Sequence, residues 1–126
     1  LKLLSEKIER LRYVAEGIHY SWCGFTVADL AAGQIRHPLF ALRIGEAVIV
    51  GLPGEPFGVY SVRLREQFPR LPLLVAEEGN GYLSYIPPAS EYPLGGYGAS
   101  AAILDPDAEE VLLRAAGALV RRCRQP

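Results

Sequence analysis

Ala47-Val48-Ile49-Val50-Gly51-Leu52-Pro53-Gly54-Glu55-Pro56-Phe57 carries an apolar run into a tight turn that ends on a single carboxylate. A run that is apolar on both faces predicts a central strand, covered on each side by other parts of the chain. Upstream, Leu39 to Ile44 is a second apolar run, and Gly45-Glu46 between the two predicts a hairpin. Downstream, Val59, Val62, Leu64 and Phe68 alternate with Arg63, Arg65 and Glu66, which predicts a helix starting near Pro56 or Phe57 and stopped by Pro69. Leu71 to Ala76 reads as a short buried strand, and Tyr82 to Ile86 as a further extended piece before Pro87-Pro88. Strand, turn, helix, strand is α/β grammar. The expected architecture is a mixed sheet with flanking helices.

Outside this centre the signals are local. Leu4, Ile8, Leu11 and Ala15 fall at helical spacing, so residues 3–16 read as an amphipathic helix, and residues 27–32 as a short one closed by Gly33. Residues 89–104 are rich in Gly, Ala and Tyr and read as irregular. Asp107 with Glu110 matches a capping box, and Val111, Leu112, Ala115, Leu119 and Val120 supply the stripe of a closing helix. Arg121, Arg122 and Arg124 suit the negative pole of that helix. With no repeat and no flexible linker, residues 1–126 read as one domain or part of one.

Composition narrows the function classes. Half of the 126 residues are apolar, enough for a real core, and Lys+Arg 13 against Asp+Glu 14 leaves a formal charge of −1. That balance offers no field to draw in nucleic acid, so a polynucleotide partner is not expected. No apolar stretch approaches the ~20 residues that span a bilayer. Cys23 and Cys123 lack metal-knuckle or redox spacing and read as two reduced, buried thiols, with one long-range disulfide left open. The chain opens at Leu1, contains no methionine and begins without a secretory signal, so it reads as a piece of a longer polypeptide.

The chemistry-bearing residues sit at strand ends. Glu55, on a Pro-Gly turn past a buried strand and ahead of a helix, stands where open α/β sheets place their ligands. The same position suits an acid that only serves the helix dipole. Asn80-Gly81 is first a turn signal. Tyr82 and Tyr85, three apart on an extended strand, are expected to face opposite sides, so that one at most points toward Glu55. Buried tyrosines usually need only a partner for the hydroxyl. The crowding of Tyr82, Tyr85, Tyr92 and Tyr97 into one stretch argues for more.

Pro53-Gly54-Glu55, Arg63-Leu64-Arg65-Glu66, Asn80-x-Tyr82-x-x-Tyr85, Glu91-Tyr92 and Tyr97 follow in the order of the neutral/alkaline ceramidase family. The chain resembles the C-terminal half of that family's catalytic domain over about residues 39–124, closest in style to short bacterial ceramidase-like proteins. The resemblance implies a zinc site to which Glu55 and Tyr85 contribute, with two histidines and an active-site serine supplied from upstream. It implies that Tyr97, at the family spacing beyond Tyr85, steadies the oxyanion, and that the substrate is a small-molecule or lipid amide, ceramide-like, cleaved to amine and fatty acid. Tyr82 reads as structural. Pro56-Phe57-Gly58, Pro87-Pro88-Ala89-Ser90 and Gly98 depart from the family pattern, and neither His19 nor His37 stands at a family ligand position.

Two other readings accompany this one. A noncatalytic α/β module would use residues 80–98 to bind a partner or a sugar, since tyrosine-rich loops suit recognition. An isolated half-domain would have no activity of its own. It would expose strand edges and apolar patches, and would associate with itself or with a missing N-terminal half.

Overall fold

The computed structural model describes residues 37–125. The chain divides into two compact units, Leu1–Pro38 and Leu39–Pro126, and the architecture below is that of the second. The helices expected over 3–16 and 27–32, together with His19 and Cys23, lie outside the described residues.

Strands β1 (Phe40–Ile44) and β2 (Ala47–Gly51) form the expected antiparallel hairpin, turning at Gly45 with φ +58°, a conformation glycine adopts without strain. A two-residue strand, β3 (Glu55–Pro56), precedes helix α1 (Val59–Gln67), which crosses over to β4 (Leu73–Ala76), laid parallel to β2. The order β1-β2-β4 makes a mixed three-stranded sheet with β2 central. β5 (Tyr85–Ile86) pairs in parallel with β3 in a separate two-stranded sheet. A 3-10 turn at Ala89–Glu91, helix α2 (Tyr97–Ala101) and helix α3 (Ala108–Cys123) complete the unit. The fold is α/β, a mixed sheet with flanking helices.

The core follows the pleat. Val48, Val50 and Leu73 are buried together with Tyr60 and Leu64 of α1 and Leu112, Ala116 and Val120 of α3. Each fully buried aliphatic side chain of this kind contributes about 1.5–3 kcal/mol. The register puts Leu42 opposite Ile49 and Ile49 opposite Leu74, so these share the other face of the sheet with Ile44. On that face Leu42, Ile44 and Leu74 are each more than half exposed.

Several boundaries differ from the expectation for physical reasons. α1 begins at Val59, because Glu55-Pro56 is drawn into the ladder with Tyr85-Ile86. β4 begins after Pro72, which has no N–H to give and instead accepts from Val48 N at 3.0 Å. Residues 89–104 are not wholly irregular, since they hold the 3-10 turn and α2. The capping box does not form: Asp107 is already helical at φ −63°, ψ −18° and makes no side-chain cap bond. The α3 stripe is rotated as well, with Gly117 buried and Val111 54% exposed. Gly117 faces α1, where a Cβ would lie 2.7 Å from Gln67 Oε1. Cys123 is a free thiol that donates to Ala41 O at 3.4 Å. No described helix is long and apolar enough to cross a membrane.

Candidate functional site

The main chain fixes the site before any side chain does. As β2 ends, Leu52 N donates to Ala76 O at 2.8 Å, and Gly79 N returns a bond to Leu52 O at 2.7 Å. Gly54 then takes φ +59° and sits so close to the 81–84 segment that a Cβ there would collide with Ser84 O. Its N–H donates to Gly81 O at 3.0 Å, and its carbonyl accepts from Glu78 N at 2.7 Å. Only glycine combines that backbone angle with that approach. The chain leaves the turn straight into β3, where Glu55 N donates to Ser84 O at 2.9 Å and Phe57 N to Ile86 O at 3.1 Å. Glu55 and Tyr85 are thereby register partners.

Three phenols gather at this ladder. The Tyr82 hydroxyl donates to Glu55 Oε1 at 3.0 Å. Its pKa is raised, first by burial and then by this bond. The Tyr85 phenol is also raised, with hydrogen bonding to the same carboxylate as the leading cause. Tyr82 and Tyr85 therefore converge on Glu55, against the expectation that they would point apart. The alternation of a strand does not apply to them, because Ser84 between them has φ +59° and Gly81 has φ +133°. The third ring, Tyr97, opens α2 and meets Tyr85 edge to face, with centroids 5.3 Å apart and planes at 75°. Tyr97 is otherwise 77% exposed.

Neighbouring contacts hold these elements. Ser84 Oγ donates to Ala101 O at 2.7 Å, and Tyr92 OH to Leu104 O at 2.7 Å, so both ends of the tyrosine-rich segment are tied down. Gly98 packs closely on Phe57, and a Cβ at 98 would lie 2.6 Å from the Phe57 ring, which would have to shift. Glu109 on α3 accepts from Ala89 N at 2.6 Å and pairs with Arg63 of α1.

No family model matches the chain, and no curated protein matches it. Among solved structures, the chain is similar to one described as a ceramidase complexed with C2, with a TM-score of 0.56 and 23% sequence identity. The fold is ceramidase-like. The similarity covers 68% of this chain and 15% of that one, so the chain spans a small part of the solved ceramidase's length.

Within this ceramidase-like unit the available donors are oxygens. Among the described residues no group of three or more His, Cys, Asp or Glu side chains is placed to hold a metal ion. Glu55 with Tyr82 and Tyr85 is a different donor set, one carboxylate and two phenols. A hard or borderline cation suits it, because a cation on the carboxylate can displace the phenolic proton that now bridges to it. His37 belongs to the first compact unit. Tyr82, expected to be structural, has its hydroxyl on Glu55 in a segment where Asn80, Gly81 and Ser84 all adopt positive φ.

Proposed function

We propose that this chain supplies part of the active site of a zinc-dependent amidohydrolase of the neutral/alkaline ceramidase kind, which splits an N-acyl amide, ceramide-like, into an amine and a fatty acid. The observation that supports the reading is the register pairing of Glu55 with Tyr85 and the packing of Tyr97 on Tyr85. In this reading Glu55 and Tyr85 hold the metal, with further ligands supplied from outside the described residues. Zinc, when bound, supplies Lewis acidity to an amide carbonyl and to water. Tyr97 is exposed and hydrogen-bond competent, and its hydroxyl donates to the amide oxygen as that oxygen gains negative charge. Water and amide are consumed, the C–N bond breaks, and the amine leaves with a proton. The contact between Tyr82 and Glu55 favours this reading over a noncatalytic tyrosine loop, which has no need of a shared carboxylate.

The test is metal analysis of the whole gene product alongside hydrolysis of a short-chain ceramide. Near-stoichiometric zinc is expected, lost in Glu55→Gln and kept in Tyr97→Phe, with Tyr97→Phe turning over about 10²-fold more slowly. Unchanged zinc content in Glu55→Gln would remove the proposal.

A further inference from the structure

We infer that Tyr82 is the positioning residue of Glu55: its hydroxyl holds Oε1, so that the carboxylate presents Oε2, with Tyr85, to a cation. The inference rests on the metal reading above and adds a residue to it. A glutamate's terminal torsion is broad and roughly two-fold, so an untethered carboxylate samples many orientations. Here one oxygen is engaged at 3.0 Å by a donor that is itself fixed. Tyr82 lies between Gly81, whose carbonyl accepts from Gly54, and Leu83, which is 3% exposed. Ser84 is in turn tethered to Ala101. Tyr85 approaches the same carboxylate from the paired strand, with its ring against Tyr97. The two phenols thus divide the work: Tyr85 is placed to bind, and Tyr82 to aim. Partners that orient a ligand in this way typically carry 10- to 100-fold in metal affinity.

The whole gene product, titrated with Co²⁺ and followed by paramagnetic shifts in NMR, tests this, because that readout reaches weak binding and reports coordination without needing activity. Tyr82→Phe keeps the ring and removes only the hydroxyl. The expected result is a 10- to 100-fold weaker Co²⁺ affinity with an unchanged pattern of shifted resonances and an unchanged melting temperature of the metal-free chain. Equal affinity in Tyr82→Phe, with wild type binding, would overturn the inference and leave the metal reading standing. Loss as complete as in Glu55→Gln would also overturn it, making Tyr82 a ligand. So would a loss matched by a lower metal-free melting temperature, which marks a structural role. A wild-type whole gene product that bound no Co²⁺ would remove the metal reading itself, and this inference with it.

Discussion

The Tyr60 hydroxyl donates to the carbonyl of Pro87 at 3.2 Å, from a ring that is 1% exposed, and so bolts the first helix to the end of the short strand bearing Tyr85. Burial pushes this phenol up to about 12, and Tyr92 likewise. A phenol raised in the folded state keeps its proton after the unfolded chain, near ~10, has lost its own. Its stabilisation is therefore whole below about pH 10 and is lost as pH rises toward 12. Urea midpoints should fall steadily over that window. Tyr60→Phe should lower stability by about 0.5–1.5 kcal/mol at neutral pH and flatten the alkaline decline. A wild-type midpoint that stays level from pH 9.5 to 11.5 would contradict the assignment.

Gly54 and Gly58 make a matched contrast. Gly54→Ala must hold φ +59° and displace Ser84, so it should cost at least about 1–3 kcal/mol and shift the Tyr82 and Tyr85 side-chain resonances. Gly58, the N-cap of α1, has φ −53° and open space around a would-be Cβ. Gly58→Ala should be neutral, or stabilising by up to about 1 kcal/mol. Denaturation midpoints of the two variants decide it, and equal effects would count against the turn geometry.

Glu109 joins three elements, α3, α1 and the turn at Ala89, from a side chain only 12% exposed. Glu109→Ala should cost about 1–3 kcal/mol and speed exchange of the Ala89 amide proton. Arg63, 45% exposed, can turn toward water, and Arg63→Ala should cost about 1 kcal/mol or less. Hydrogen exchange at Ala89 that is unmoved in Glu109→Ala would show that the turn stands without it.

The open face of the sheet should make the isolated chain self-associate. Leu42 and Ile44 of β1, Ile49 of β2 and Leu74 of β4 form an apolar strip across the three strands. Replacing Ile44 and Leu74 with Lys and Glu should shift sedimentation toward monomer with little change in melting temperature. A wild-type chain that stays monomeric at high micromolar concentration would contradict the expectation.

What the sequence made legible, and what it hid, divides by range. The hairpin and the central strand were readable because Leu39 to Leu52 contains both apolar runs and the Gly-led turn between them. The apolar crossover to β4 was readable from Val59, Leu64 and Phe68 for the same local reason. The facing of Tyr82 and Tyr85 was misjudged because alternation assumes extended backbone throughout, and Ser84 at φ +59° breaks it. The Asp107 and Glu110 spacing suggested a cap, but Glu109 made the decisive contacts, with partners far away in sequence that no local pattern encodes. The face that α3 turns inward likewise meets α1, at Gly117 beside Gln67, a contact that exists only after folding.

The ladder joining Glu55 to Tyr85 has an evolutionary consequence. Because peptide groups set the register of the two residues, surrounding residues can change without shifting that pairing, provided that a glycine stays at 54. Such a pairing is a shape of the backbone, and much of the sequence around it is free to be rewritten.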